Sequence, residues 1–215
     1  MRIDVWQAVH SDLAPGVQPD QESFAAPLGD RQVLLPIRTL PDGGRGVASL
    51  ILNQASFAVL DALADDVTRQ LAAYDPDVII AVPTLGLPLA EGVARRLGHT
   101  RLAPLGNSRK FWYDEALSVP MSSITTPGGG KRLYLDPRMV PLLTGRVAVV
   151  DDVLSTGSSM AAVLEVLKIA DVTPVAIGAA MLQGDAWVAR VGDTPVLGAI
   201  RTPILTKTPT GWEAP

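Results

Sequence analysis

Short unbroken apolar runs alternate with helical segments through most of this chain, and this alternation restricts the fold more than any other feature. The runs are VIIAV at 78–82, RVAVV at 146–150, PVAIGAAML at 174–182 and PVLGAI at 195–200. An apolar run of this length is typical of a parallel strand that is buried on both faces. Because parallel strands need long crossover connections, their alternation with helices predicts an α/β fold: a central parallel sheet flanked by helices.

Three segments have the periodicity of helices. In residues 56–74 the side chains of one stripe are apolar, and they are Phe57, Leu60, Leu63, Val67, Leu71 and Tyr74. Residues 87–97 form a second predicted helix, which Gly98 ends, and residues 158–169 form a third.

A hairpin is predicted near the start of the chain. Residues 32–40 and 46–52 are apolar segments that flank the turn residues 41–44, Pro-Asp-Gly-Gly. Turn residues of this kind between two strand-like segments are the usual pattern of a hairpin.

The composition excludes several kinds of site. The 215 residues include no cysteine and two histidines, His10 and His99. Disulfides, thiolate zinc sites, cysteine nucleophiles and histidine-built metal centres are therefore not expected.

The charge and the apolar runs also restrict partners and location. The net charge of −4 argues against a nucleic-acid partner. The longest apolar run is far shorter than the roughly 20 residues of a membrane span, so no membrane partner is expected. The N-terminal residues contain no apolar signal-peptide region, so we expect a cytoplasmic protein.

One stretch, RVAVVDDVLSTGSSM at 146–160, combines a buried strand, two acids and a polar turn that opens a helix. Ligands of open parallel sheets bind at the carboxyl ends of strands. The backbone amides of 155–159 would turn towards one point at the helix N-terminus, which makes an anion cradle. Gly157 would allow a phosphate to approach the chain closely.

The two acids need a partner other than this anion. Asp151 and Asp152 could bind sugar hydroxyls or a Mg²⁺ shell. A ligand with a phosphate at one end and a vicinal diol beside it fits both halves of the stretch, and a ribose 5-phosphate is such a ligand.

The stretch VAVVDDVLSTGSS resembles the phosphoribosyl pyrophosphate (PRPP) signature of type I phosphoribosyltransferases. That signature has four apolar residues, two acids, two variable residues, then Ala or Ser, Thr, Gly and small residues. The resemblance implies that Asp151 and Asp152 hold the ribose hydroxyls. It assigns the 5-phosphate to Ser155, Thr156, Gly157, Ser158 and Ser159.

Two further segments resemble the same family, in particular its adenine and xanthine (purine) branch. VIIAVPTLGLPLAEGVARRLG at 78–98 is similar to the pyrophosphate loop, in which Thr84, Leu85 and Gly86 would hold the diphosphate. GNSRKFWYDEALSVPMSSITT at 106–126 is similar to the start of the long mobile loop. Its Arg109 and Lys110 would stabilise charge on the departing diphosphate. Its Ser123-Ile124-Thr125 resembles a Ser-Phe-Thr stretch of xanthine members.

The resemblance also implies an organisation and a reaction. We expect a single domain over 1–215, with an N-terminal arm at 1–30, a core at 31–182 and a C-terminal strand and tail at 183–215. The arm is irregular by its sequence, and the terminal segments would form a small hood. The reaction implied is transfer of ribose 5-phosphate from PRPP to a nucleobase in nucleotide salvage, by a homodimer. Mg²⁺ would be the cofactor, held mainly by PRPP and not by a dedicated protein site.

The acceptor base is less constrained. A carboxylate of adenine members would fall near Pro127-Gly128, where this chain has none, and a lysine of xanthine-type members is absent near Gln183. Gln183 could read a base edge, although a surface glutamine is the commoner case. Orotate, uracil or another non-purine acceptor stays open beside a purine.

Two alternatives to the enzyme remain. One is a regulatory protein of the same fold that binds PRPP with weak or no turnover; the chain lacks the added helix-turn-helix segment and the basic charge usual in such proteins. The other is a nucleotide-binding α/β protein with different chemistry. The absence of Gly-x-x-x-x-Gly-Lys-Ser/Thr and Gly-x-Gly-x-x-Gly patterns argues against its common forms.

Overall fold

The computed structural model describes residues 4–121 and 132–215. The helices in these ranges are α1 (Phe57–Leu71), α2 (Leu87–Arg96), α3 (Ser158–Ile169) and α4 (Val188–Val191). The strands are β1 (Val9–His10), β2 (Gly16–Val17), β3 (Ser23–Leu28), β4 (Arg31–Thr39), β5 (Arg45–Ala48), β6 (Val78–Ala81), β7 (Ala103–Pro104), β8 (Ser118–Pro120), β9 (Arg132–Tyr134), β10 (Val147–Leu154), β11 (Ala176–Gln183), β12 (Val196–Thr202), β13 (Ile204–Thr208) and β14 (Gly211–Glu213).

The four apolar runs form neighbouring strands of one parallel sheet. Its order is β12-β11-β10-β6-β7. Val150 of β10 lies opposite Ala81 of β6 on one side and opposite Gly178 of β11 on the other. The predicted α/β fold is therefore confirmed. β10 is longer than its apolar run and carries Asp151 and Asp152 within the strand.

Alternate residues of these strands face two separate cores. Ala81 and Val150 belong to a core that includes the buried side chains of α1 and α2. Ile80 and Val149 belong to a second core, which includes those of α3. This period of two explains why the runs are apolar without interruption, because each residue is buried on one face or the other.

Ser56 caps the N-terminus of helix α1. The Ser56 hydroxyl accepts a hydrogen bond from the Val59 N–H at 3.2 Å, which satisfies one of the free amides of the first turn. Leu63, Val67 and Leu71 are fully buried, as the stripe predicts. The prediction for Phe57 was wrong, since this side chain is 83% exposed at the first position of the helix, beyond the edge of the sheet-facing stripe.

The terminal segments form a second, antiparallel sheet, which we call the hood. Its order is β14-β13-β5-β4-β3-β2, and β1 pairs with β4. The predicted hairpin is β4 and β5, in which Ile37 lies opposite Ala48. β13 joins it from the C-terminal part of the chain, with Ile204 opposite Val47.

The hood differs from the sequence-based expectation in extent and order. Residues 31–48, which the sequence analysis assigned to the core, lie in this sheet. The arm at 1–30 contributes three strands and is not irregular. Its strands are short and interrupted by Pro and Gly, and they pair with β4, so the ordering comes from neighbours that a local pattern does not show.

The hood and the parallel sheet share one core. Phe24 of β3, Leu35 of β4 and Leu205 of β13 are buried together with Leu63 of α1. The hood is therefore held against the parallel sheet by apolar burial, which is the main favourable term in folding.

The segment between β7 and β10 contains a short hairpin of its own. β8 and β9 pair antiparallel, with Val119 opposite Leu133, and do not join the parallel sheet. The Ser123-Ile124-Thr125 stretch and the Pro127-Gly128 position named in the sequence analysis lie outside the described residues. Among the helices of residues 4–121 and 132–215, none has the length and apolar character that crossing a membrane requires.

A pair of substitutions in α1 tests this packing. Leu63→Ala removes a fully buried side chain and is expected to lower the free energy of unfolding by about 2–5 kcal/mol. Phe57→Ala, in the same helix but largely exposed, is expected to change it by about 0.5 kcal/mol or less. Urea denaturation of both variants measures the difference, and equal losses would contradict the assigned faces of α1.

Candidate active site

The loop after β10 forms a cradle at the N-terminus of α3. Residues 155–157 leave the strand, and Gly157 has φ +78° at the residue that precedes the helix. A Cβ on Gly157 would lie 2.9 Å from the Cα of Trp187. Both the positive φ and this close approach require glycine here. The first backbone N–H groups of α3 and the positive end of its dipole lie at this loop.

Hydroxyl groups surround this helix end. The Thr156 and Ser158 hydroxyls are hydrogen-bonded to each other at 3.2 Å. The Ser155 hydroxyl donates to Gln183 Oε1 at 3.1 Å. Together with Gly157 and Ser159, these residues line one cavity. The structure thus brings together all five residues predicted to bind the 5-phosphate.

Asp151 and Asp152 lie just before this cradle, on β10. The Asp151 carboxylate is buried and accepts a hydrogen bond from the Asp152 N–H at 2.8 Å. Burial, followed by the neighbouring charge of Asp152, raises the pKa of Asp151 well above its usual value. Burial also raises the pKa of Asp152. No lysine or arginine of the described residues forms an ion pair with either carboxylate.

The predicted diphosphate loop, residues 83–86, lies against the acidic pair. A Cβ on Gly86 would lie 2.9 Å from Asp151 Oδ1 and 2.7 Å from the Val82 carbonyl oxygen, so this position also requires glycine. Thr84 is exposed, Leu85 is half-buried, and the Pro83–Thr84 peptide bond is cis. The loop reaches Asp151 because β6 and β10 are adjacent parallel strands whose carboxyl ends meet at one edge of the sheet.

Arg109 and Lys110 lie in the segment that follows β7. This segment contacts the diphosphate loop through Asn107, whose Nδ2 donates to Thr84 Oγ1 at 3.2 Å. Arg109 Nε lies 2.9 Å from Glu115 Oε1, and both side chains are exposed. Lys110 is exposed as well. Neither cation lines the cavity, so the structure connects them to the site without placing them in it.

Aromatic side chains anchor the segment that carries these cations. Trp112 Nε1 donates to Asp136 Oδ2 at 3.2 Å, and the Arg138 guanidinium lies 4.8 Å from the centre of the Trp112 ring. Hydrogen bonds from Arg138 hold the pKa of the buried Asp136 well below its usual range. Phe111, by contrast, is 94% exposed. Trp112 is therefore held by Asp136 and Arg138.

The cavity in front of β10 has a volume of about 700 Å³. Its parallel-sheet side consists of Asp151 and the cradle. Its hood side is largely apolar and consists of Leu40, Pro41, Val47 and Ile204, with the ion pair Asp42–Arg45 beside them. The cavity is large enough for a nucleotide-sized ligand, and it is polar at the cradle and apolar at the hood.

Gln183 is placed between these two sides. The side chain is buried, so the expectation of a surface glutamine was wrong. It accepts from Ser155 through Oε1, and its Nε2 donates to the Ala48 carbonyl oxygen at 2.8 Å. It thus links the cradle to the hood. Its role in reading a base edge stays a prediction.

Three side chains near the site were missed by the sequence analysis. They are Asn107, Trp187 and Arg190. Asn107 contacts Thr84, Trp187 contacts Gly157, and Arg190 contacts Ser158. The two residues of each pair are distant in sequence. No local motif signals such contacts, because they depend on how separate loops meet at the sheet edge.

The acidic pair Asp151 and Asp152 is compatible with Mg²⁺. Carboxylate oxygens are ligands that Mg²⁺ prefers. Within the described parts of the chain, no group of three or more His, Cys, Asp or Glu side chains could hold a metal ion.

Comparison with known proteins identifies the class to which this fold and site belong. Residues 47–194 match the phosphoribosyl transferase domain family. This match covers more than half of the chain, and the chain belongs to that family. The resemblance seen in the sequence is confirmed.

One curated relative and two solved structures illustrate the likeness. The hypoxanthine/guanine phosphoribosyltransferase of Methanosalsum zhilinae is 32% identical over 123 residues, which cover 53% of this chain and 60% of that protein. The APRTase from Giardia lamblia, complexed with 9-deazaadenine, has a TM-score of 0.60 at 23% identity and covers 77% of this chain and 93% of its own. Adenine phosphoribosyltransferase from Saccharomyces cerevisiae has a TM-score of 0.61 at 19% identity, with the same two coverages. These two likenesses show the fold.

The raised pKa of Asp151 predicts that this residue destabilises the unliganded protein at neutral pH. Since the folded state binds this proton more tightly than the unfolded chain, the free energy of unfolding falls as the pH rises from about 3.8 through the raised pKa. Asn cannot ionise and can keep the hydrogen bond with the Asp152 N–H. Asp151→Asn is therefore expected to melt at a higher temperature than wild type at pH 8, by about 2–4 °C for each kcal/mol.

The control for this prediction is Asp193→Asn, which changes an exposed acid after α4. It is expected to leave the melting temperature within about 1 °C of wild type, as most surface substitutions do. The gain of Asp151→Asn is expected to shrink as the pH approaches 4. A lower melting temperature of Asp151→Asn at pH 8 would contradict the assigned direction of the pKa.

Proposed function

We propose that this protein transfers the ribose 5-phosphate of PRPP to a purine base and releases pyrophosphate. The observation that carries the proposal is the arrangement at the end of β10. An anion cradle, the acidic pair Asp151 and Asp152, and the loop at Gly86 meet in that order at one edge of the sheet, and the cradle and Asp151 line one cavity. PRPP carries a phosphate, a vicinal diol and a diphosphate in the same order.

The cradle would bind the 5-phosphate. The amides at the start of α3 and the hydroxyls of Ser155, Thr156, Ser158 and Ser159 are the donors that a phosphate needs, and Gly157 allows its close approach. Binding of the phosphate at this end would fix the position of the ribose. The entropic cost of orienting the ribose would then be met by binding and not in the transition state.

The acidic pair would bind the ribose. The Asp152 N–H donates to the Asp151 carboxylate, and the charges of the two groups interact, so the acids lie close together. Their carboxylates would accept hydrogen bonds from the 2- and 3-hydroxyls. Negative charge close to the ring also stabilises the positive charge that the ring carbon gains as the diphosphate leaves. Mg²⁺, when bound, would supply positive charge to the diphosphate, with Asp151 and Asp152 as the residues nearest to hold it. The raised pKa of each acid is lowered again by such a cation.

The diphosphate would lie on the backbone of Thr84, Leu85 and Gly86. Gly86 approaches Asp151 closely, so a diphosphate here is adjacent to a ribose held by the acidic pair. Arg109 and Lys110 would reach the leaving diphosphate when their segment moves inward, and Arg109 would then leave Glu115. Their charge would be most valuable in the transition state, where the diphosphate gains negative charge.

A purine is the acceptor that the comparisons favour. The curated relative and the two structures are named for hypoxanthine/guanine and adenine transfer. The apolar hood side of the cavity suits a flat ring placed beyond the ribose. The homodimer, the Mg²⁺ requirement, the salvage role and the cytoplasmic location stay predictions.

Pyrophosphate release from PRPP and Mg²⁺ tests the proposal. Adenine, guanine, hypoxanthine, xanthine, orotate and uracil are supplied in turn. Release with a purine is expected, and Asp151→Asn and Asp152→Asn are each expected to reduce it by about 100-fold or more, since each removes a charge used in the transition state. Asp193→Asn is the matched control and is expected to retain the wild-type rate.

Two results would overturn the proposal in different ways. No release with any of the six bases, although PRPP raises the melting temperature, would indicate a PRPP-binding protein without this activity. No release and no thermal shift would exclude PRPP as the ligand of this cavity.

The loop cations generate a separate prediction. Arg109→Ala and Lys110→Ala are each expected to reduce kcat by about 10- to 100-fold, with a smaller change in KM for the base, because they act on the leaving group. Lys168→Ala, at the C-terminal end of α3, is the control for loss of one positive charge. A kcat within twofold of wild type for both loop variants would contradict the assignment.

A further inference from the structure

We propose that Arg190 is an additional 5-phosphate-binding residue, which acts together with Ser158. The inference rests on the proposed function and adds a residue that the signature motif does not contain. Arg190 lies on α4, after β11, and is 32 residues from the cradle in sequence.

Arg190 contacts the cradle directly. Its Nη1 donates a hydrogen bond to the Ser158 hydroxyl oxygen. The Ser158 hydroxyl is therefore an acceptor for the guanidinium, and it is also hydrogen-bonded to the Thr156 hydroxyl. Ser158 itself lines the cavity at the first position of α3. The guanidinium thus lies beside Ser158, although Arg190 itself is not among the residues that line the cavity.

The position of α4 is closely determined. Trp187, just before α4, is buried, and its Nε1 donates to the Gly184 carbonyl oxygen at 2.9 Å. A Cβ on Gly157 would lie 2.9 Å from the Trp187 Cα and 3.2 Å from the Arg190 Cβ. The backbone of the cradle therefore packs against the backbone at the start of α4. The Cβ of Arg190 lies at the same contact.

Arg190 is exposed to solvent. Among the ion pairs of the described residues, none involves Arg190, and the first turn of α3 contains no acidic residue. A cation beside a helix N-terminus is unfavourable, because the helix dipole is positive there. This arrangement becomes favourable once an anion occupies the cradle, and a dianionic phosphate would interact with both positive charges.

Ser158 makes this contact possible in this chain. Its hydroxyl oxygen accepts the hydrogen bond from the Arg190 guanidinium, and a glycine at this position would have no side chain to accept it. Ser158 and Arg190 therefore form a pair whose contribution is testable as a pair. A guanidinium also binds phosphate oxygens with fixed geometry, which a lysine does not reproduce.

The test uses the full-length protein and two ligands, PRPP and ribose 5-phosphate. Arg190→Ala is expected to raise KM for PRPP by roughly 10- to 100-fold, the range for losing a hydrogen bond to a charged group. It is expected to leave KM for the base within twofold. By calorimetry, its affinity for ribose 5-phosphate is expected to fall by the same factor. Arg190→Lys is expected to recover part of this loss.

Further variants complete the design. Arg101→Ala removes an exposed arginine that precedes β7, at the amino ends of the parallel strands and away from the site. This variant is expected to match wild type in all measurements. Ser158→Gly and Arg190→Ala are also measured singly and combined. The double variant is expected to lose less affinity for ribose 5-phosphate than the product of the two single fold-losses, because the two residues act together.

A purely structural role for Arg190 predicts that Arg190→Ala lowers the melting temperature of the unliganded protein. The proposal predicts that this melting temperature stays unchanged or rises, because the substitution removes a cation from a helix N-terminus. A lower melting temperature with unchanged affinity for ribose 5-phosphate would overturn the inference. So would affinity within twofold of wild type at any stability. If wild type itself does not bind ribose 5-phosphate, the proposed function fails, which is distinct from failure of the role of Arg190.

Discussion

The pairing of β10 with parallel strands on both sides is the constraint on which the site depends. Its register places Val150 between Ala81 and Gly178. The loops that follow β6, β10 and β11 therefore leave the sheet side by side at one edge. Each loop brings one component of the site: the glycine that meets Asp151, the cradle at α3, and the segment with Gln183 and Arg190. Apolar burial on both faces keeps these strands in place.

The site combines features that are unfavourable in the unliganded protein. Asp151 is buried next to the carboxylate of Asp152, and neither acid has a basic partner among the described residues. Arg190 contacts Ser158 at the positive end of a helix. Each is relieved by a ligand of the opposite charge, a cation or diol for the acids and a phosphate for the arginine. Stability is thereby exchanged for a site already arranged for its ligand, a common relation between stability and function.

The parallel core was predictable because its signals are local. The burial of the strand at 78–82 is predictable from its unbroken apolar run, and that of the helix after Ser56 from its apolar stripe. The signature at 147–159 was predictable because its strand, turn and helix are contiguous. Phe57 was assigned to the core wrongly, because periodicity alone does not show where the sheet ends. The hood was underestimated, since β13 pairs with β5 from the other end of the chain.

The sequence by itself determined the fold class, the family and the order of acids, hydroxyls and glycine along one loop. These properties depend on neighbours in the chain, and a linear pattern records them. Only the tertiary structure decided that Gln183 is buried between cradle and hood, that Arg109 pairs with Glu115, and that Arg190 reaches Ser158. Such contacts join side chains on separate elements, and their distances are set by packing between those elements, which no local pattern contains.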